Sequence, residues 1–312
     1  MAARVLDPVS IALSAAGFEL HADVWDGGTG EPILLLHGLG GNTVTWHGVA
    51  PLLARDLHTR VLAVDLPGFG SSRPHGKPCG YAGLHAVVED ILVREAPAGA
   101  RWHLGGNSLG GLLALQAAFT HPERVSRVTL ASVSLPLTWG RSLRELLAFG
   151  SYLPTACPWV GRRLVGRYMR TLGLPGVVDE PIRFLFGDPA RLDPELRERL
   201  LAVSGYRLTW VPEAARALEE VTRGLGVALV RSDGAERWIR EGRCPVTAIY
   251  GGRDPLYPLG AWRHLERERP DWSYVCMPDV GHVPQLEAPA EFAKHMLGHT
   301  ALAEQGFSAL NR

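Results

Sequence analysis

Gly105-Gly106-Asn107-Ser108-Leu109-Gly110-Gly111 joins a short apolar run, Arg101 to Leu104, to a helical pattern, Leu109 to His121. Within it Gly106, Ser108 and Gly110 form G-x-S-x-G. A sharp strand-to-helix turn holds its central residue in a strained backbone conformation. Small residues two positions to either side leave room for strand and helix to approach. The serine hydroxyl then stands exposed at the helix N-terminus, where the Leu109 N–H is aimed at a reacting oxygen and the helix dipole favours negative charge. Glycine and serine are common, so the match alone is weak, and an ordinary helix start competes with a nucleophile turn. The surrounding pattern has to decide.

Outward from this turn, continuous apolar runs suited to strands buried on both faces occur at Pro32 to His37, Arg60 to Asp65, Val125 to Ala131 and Val246 to Tyr250. A further short strand is expected at Ser273 to Met277, and Ser10 to Trp25 alternates like a hairpin turning at Ala16-Gly17. Helical patterns cover Tyr81 to Glu95, Leu259 to Arg267 and Pro289 to Leu302. Strand and helix alternating at this spacing predict a mostly parallel central sheet flanked by helices, an α/β fold. The alternation stops after Ser134, and the next hundred or so residues are proline-punctuated and helical in pattern. They read as an inserted helical lid. The expected organisation is a core in two parts, 1–134 and 239–312, around a lid at 135–238.

Composition narrows the function classes. The 312 residues include 46% hydrophobic and 21% charged, a globular profile, and 32 basic residues balance 32 acidic ones. A neutral chain lacks the footprint of a nucleic-acid or anionic-membrane binder. Cys79, Cys157, Cys244 and Cys276 lie far apart without a C-x-x-C pair or metal-ligand spacing, which suits a reduced, cytoplasmic protein. No run reaches the ~18 apolar residues of a membrane span. The apolar stretch near the N-terminus is interrupted by Asp7 and Pro8, against a signal peptide.

Four more segments extend the argument. Leu36-His37-Gly38-Leu39-Gly40-Gly41 follows a predicted strand, and Asp65-Leu66-Pro67-Gly68-Phe69-Gly70-Ser71-Ser72 follows the next. Tyr250-Gly251-Gly252-Arg253-Asp254 and Asp279-Val280-Gly281-His282 end the last two. Together with the serine turn, in this order, they resemble the α/β-hydrolase family and cover everything but the lid. The resemblance implies that Leu39 supplies a second oxyanion-hole N–H beside Leu109, that Asp254 lies on the acid-bearing turn, and that His282 lies on the histidine loop. The Asp65 to Ser72 loop is a structural signature in that family. The chemistry agrees independently. A serine hydroxyl needs a base to take its proton and the base needs an acid to orient it, and this fold uses the order serine, acid, histidine. Asp254 and Ser108 would both emerge at the carboxyl edge of the sheet, where open parallel sheets bind ligands.

Each role has rival residues. Of twelve histidines, His37 matches a position that supports the oxyanion loop in the family, His103 lies within a strand, and the others lack a glycine turn at a strand end. For the acid, the alternative site after Val125 to Ala131 offers only Ser132 and Ser134, and Asp279 suits a turn-shaping role. Ser108 excludes, by resemblance, the branches with an aspartate nucleophile. Carboxylic ester or thioester hydrolysis through an acyl-enzyme is the preferred reading. Cleavage of C–C bonds in aromatic ring-fission products is the alternative, because the family's C–C hydrolases share the G-N-S-x-G-G elbow. Those enzymes generally place Trp after the histidine, where this chain has Val283. A hydrolase-fold ligand receptor or pseudoenzyme is the rival from another class. The lid's aromatics, Trp139, Phe149, Tyr152, Trp159, Tyr168, Phe184, Phe186, Tyr206 and Trp210, suggest an apolar small-molecule substrate, with most of them in the lid's own core. No metal or organic cofactor is implied, and a homo-oligomer is left open.

Overall fold

Along Ile33–Leu36 successive side chains enter different cores. Leu34 and Leu36 join Leu62, Val64, Leu104, Leu112 and Trp262 on one face, while Ile33 and Leu35 join Val61, Ala63, Trp46, Leu53 and Phe292 on the other. A strand covered on both faces has no polar side, which is why these runs are continuously apolar. The structure, a computed structural model, describes residues 7–97, 99–136, 139, 157, 160–231 and 234–298.

Its sheet contains β1 (Val9–Ala15), β2 (Phe18–Asp26), β3 (Ile33–Leu36), β4 (Arg60–Val64), β5 (Trp102–Asn107), β6 (Val125–Ala131), β7 (Val246–Gly251) and β8 (Ser273–Met277). Their order is β1-β2-β4-β3-β5-β6-β7-β8. The β1–β2 and β2–β4 pairs are antiparallel and the rest parallel. β3 lies between β4 and β5, with Leu34 opposite both Leu62 and Leu104. Helices α2 (Tyr81–Arg94) and α3 (Leu109–Thr120) cover one face. On the other face lie α1 (Ala50–Asp56) and a helix at residues 289–298.

Two elements depart from the sequence expectation. β5 runs on through Gly105 and Gly106, which the sequence pattern reads as turn because glycine carries no apolar signal. α1 spans seven residues, too few to show a period.

Between β6 and β7 the described residues hold helices and no strand: α4 (Val160–Leu185), α5 (Pro194–Leu208), α6 (Val211–Val230) and α7 (Ala235–Glu241). α4 is broken at Gly173 and Leu174, ahead of Pro175, whose ring disfavours helix in the residue before it. Val165, Met169, Trp210 and Ala214 form a core within this stretch. Val178, Phe186 and Leu200 instead pack on Val44, Val283 and Leu286 beside the sheet's carboxyl edge. Of the aromatics expected in the lid, Trp139, Phe186 and Trp210 are buried, and Tyr168, Phe184 and Tyr206 are exposed. Phe149, Tyr152 and Trp159 lie outside the described residues. After β7 come α8 (Leu259–Glu268) and the single turn α9 (Pro284–Glu287). Among the described residues no helix is long and apolar enough to cross a membrane.

Candidate active site

β5 ends at Asn107 and α3 begins at Leu109, leaving Ser108 alone in the turn with φ +50°. A left-handed conformation costs a non-glycine residue energy and persists only where the surroundings impose it. Here they do. A Cβ on Gly106 would lie 2.3 Å from the Gly110 carbonyl oxygen, and one on Gly110 would lie 2.2 Å from that of Leu36. Strand, helix and the neighbouring β3 therefore touch backbone to backbone, and the chain reverses within one residue. Leu109 N–H, at the start of α3, has no acceptor within its own helix. The loop after β3 crosses the serine, for a Cβ on Gly38 would lie 3.4 Å from Ser108 Cβ. Leu39 follows it, with an exposed side chain.

Asp254 and His282 meet at the same edge. Asp254 Oδ1 accepts the N–H groups of Leu256 (2.8 Å) and Tyr257 (3.0 Å), which fixes the carboxylate's orientation. Its Oδ2 faces His282 Nδ1 at 2.8 Å, with the Asp254 side chain fully buried. A proton on Nδ1 donates to the carboxylate and leaves Nε2 as the acceptor. The His282 backbone is held from both sides: its N–H donates to Leu185 O (2.7 Å) and its carbonyl accepts from Asn107 Nδ2 (3.1 Å). The Tyr257 ring stacks on the imidazole, with centroids 5.9 Å apart. Ser108 Oγ lies 3.3 Å from Ser134 Oγ. Among the described residues no hydrogen bond joins it to His282. Two of the three expected partners are thus in contact, and the third stands at the end of β5, separated from β7 by β6. Serine χ1 has three staggered wells, and hydrogen bonds of this kind commonly tighten only with substrate bound.

The rival residues have other partners. His37 Nε2 accepts the Leu66 N–H (2.9 Å) and its Nδ1 donates to Gly38 O (2.7 Å). Complete burial pushes its pKa down to about 4, against a weaker upward pull from the Gly38 carbonyl. Asp279 is exposed and pairs with Arg253 at 2.6 Å. Ser132 is fully buried, and its Oγ has no partner among the described residues. Two further residues touch the site. Asn107, inside the serine motif, also donates to Ala131 O (2.9 Å) and so ties β5, β6 and the histidine loop. Tyr257 sits one turn past Asp254. Their proximity to the two motifs was the available signal, but neither motif requires them.

A family model described as the alpha/beta hydrolase fold matches residues 31–289. The chain belongs to the α/β-hydrolase family. Within it, this chain is 30% identical over 285 residues to a pimeloyl-[acyl-carrier protein] methyl ester esterase from Aeromonas hydrophila subsp. hydrophila, covering 87% of this chain and 97% of that protein. It is also 30% identical over 271 residues to the dihydrolipoyllysine-residue acetyltransferase component of an acetoin cleaving system from Pseudomonas putida. That match takes in 86% of this chain and spans only 63% of the relative's length. A loop variant of a haloalkane dehalogenase from Bradyrhizobium elkanii superposes with a TM-score of 0.78 at 15% identity, covering 98% of this chain and all of that one. At that identity the likeness is one of fold. Membership of the family, with relatives named as esterases, makes this α/β-hydrolase a hydrolytic enzyme, with ester hydrolysis in keeping with its relatives.

Proposed function

We propose that this α/β-hydrolase cleaves a carboxylic ester, or thioester, of an apolar small molecule through an acyl-enzyme. The observation that carries the reading is the buried Asp254–His282 pair at 2.8 Å, at the edge where Ser108 occupies its strained turn. Ser108 Oγ attacks the carbonyl carbon while its proton passes to His282 Nε2. The oxyanion is met by the Leu39 and Leu109 N–H groups. The C–O bond to the leaving group, or C–S in a thioester, breaks as His282 returns the proton to it, and water then releases the acid by the same steps. Asp254 keeps the imidazole in the required tautomer throughout.

Residues 135–238 serve in this reading as a lid between the core parts 1–134 and 239–312. The apolar contact of Val178, Phe186 and Leu200 with Val44, Val283 and Leu286 supports an apolar substrate. Four free thiols support a cytoplasmic location. The test is labelling of the purified protein with a fluorophosphonate probe beside Ser108→Ala and His282→Ala, followed by a series of p-nitrophenyl esters. Labelling lost in both variants, with rapid multiple turnover by the wild type, is expected. Labelling that survives Ser108→Ala, or single-turnover hydrolysis alone, overturns the reading in favour of a receptor. Rates that stay flat or fall with acyl length overturn the apolar pocket.

A further inference from the structure

The histidine loop is joined to the residues between β6 and β7 by an acidic side chain outside the catalytic trio. Glu287, at the end of α9, is buried, and its carboxylate accepts three backbone N–H groups. Oε2 takes those of Gly281 (2.8 Å) and Gly187 (3.0 Å), and Oε1 takes that of Asp188 (2.9 Å). Its nearest cation, Arg191, stands 3.9 Å away and is partly exposed. Charge-assisted bonds of this kind are the stronger class. Here one carboxylate gathers N–H groups from two segments about a hundred residues apart.

The two segments are also in backbone contact. A Cβ on Gly281 would lie 2.1 Å from Leu185 O and 2.7 Å from Gly187 N, and one on Gly187 would lie 2.5 Å from Asp279 O. Glycine faces glycine because nothing larger fits. The His282 N–H then donates to Leu185 O at 2.7 Å. The chain on either side of the Gly281–His282 peptide is therefore set against residues 185–188, and Glu287 supplies the acceptors that keep it there.

We infer that Glu287 is a positioning residue for His282: it locks Gly281 to Gly187 and Asp188, and so sets the imidazole's place between Asp254 and Ser108. The inference rests on the proposed Ser108–His282–Asp254 mechanism.

The full chain is assayed on a p-nitrophenyl ester, well below each variant's own Tm, with Glu287→Ala, Glu287→Gln, Asp254→Asn and the Glu287→Ala/Asp254→Asn pair. Displacement on the order of 1 Å costs on the order of 100-fold in rate, so Glu287→Ala is expected to lower kcat roughly 10- to 100-fold with KM within about twofold. Glu287→Gln, which keeps the size but turns an N–H donor toward backbone donors, falls in the same direction and decides the matter if Glu287→Ala does not fold. In the Asp254→Asn background the added loss shrinks below about threefold, because both changes act on one imidazole. A kcat within about twofold of wild type in the folded variants, or a full multiplicative loss in the pair, overturns the inference. Wild-type turnover by Ser108→Ala, run alongside, marks failure of the underlying mechanism instead.

Discussion

His37 and His282 occupy comparable places: each sits in a loop beyond a parallel strand of the sheet, each is buried, and each has a glycine neighbour. Their ring nitrogens are used in opposite ways. His37 gives both to the backbone, accepting from Leu66 and donating to Gly38, and neutrality is a condition of that arrangement. A protonated ring would have to drop the Leu66 N–H. His282 commits only Nδ1, to Asp254, and among the described residues its Nε2 has no hydrogen-bond partner. Burial and glycine flanks are thus shared by a scaffold histidine and a candidate base. The free nitrogen separates them.

The comparison breaks most sharply at His282. His282→Ala is expected to lower kcat/KM by on the order of 10⁴-fold or more, since triad members act as a unit, with any fall in Tm set by the Asp254 Oδ2 left without its partner. Asp254→Asn follows at on the order of 10³- to 10⁴-fold, because the amide no longer selects the Nδ1–H tautomer. Steady-state kinetics beside thermal denaturation checks both. Comparable activity of Asp254→Asn and wild type would mean that the 2.8 Å contact is only structural.

His37→Ala is expected to show the inverse profile. It orphans the Leu66 N–H and the Gly38 carbonyl in a fully buried site, at about 1–3 kcal/mol for each group. Stability therefore falls by roughly 2–6 kcal/mol in urea denaturation, while folded variant still labels with fluorophosphonate. Complete loss of labelling in folded His37→Ala would erase the distinction between the two histidines.

Much of this was legible beforehand, and the limits have physical causes. β3, β4, β6 and β7 announced themselves because strands buried on both faces must be apolar throughout. β5 was cut short at Gly105 because its second half packs without side chains: a Cβ there would lie 2.5 Å from Leu35 Cδ2. Serine, acid and histidine could be ordered along the chain, and the Asp254–His282 contact follows from two loops ending at one sheet edge. The contact of Ser108 Oγ with Ser134 could not be read, since a serine rotamer depends on the space around it. Nor could the roles of Asn107 and Glu287. Asn107 meets His282 across 175 positions and Glu287 meets Gly187 across 100, and no local pattern encodes such pairings.

The smallest effect tests whether buried neutrality is general. His103, within β5, is buried with its ring against Thr129 Oγ1 at 2.8 Å, and burial pushes its pKa down to about 3. For His37 the value is about 4. The unfolded chain takes up protons at these residues near pH ~6.5 and the folded chain refuses them, so stability is lost as pH falls from there through about 4. Asp65 acts oppositely: burial raises it to about 6, so it adds stability as pH falls from about 6 to below its unfolded value. His21, raised chiefly by its bond to Asp23, and His85, lowered chiefly by burial, pull in contrary directions. Two deeply buried histidines against one carboxyl leave a net loss of about 2–3 kcal/mol between pH 7 and pH 4.5, measurable by urea denaturation. Replacing the pair as His103→Leu with Thr129→Val removes donor and acceptor together, so it leaves stability at pH 4.5 closer to that at pH 7. An unchanged pH slope in that variant would mean that His103 takes up its proton in the folded chain and that burial alone does not keep a histidine neutral here.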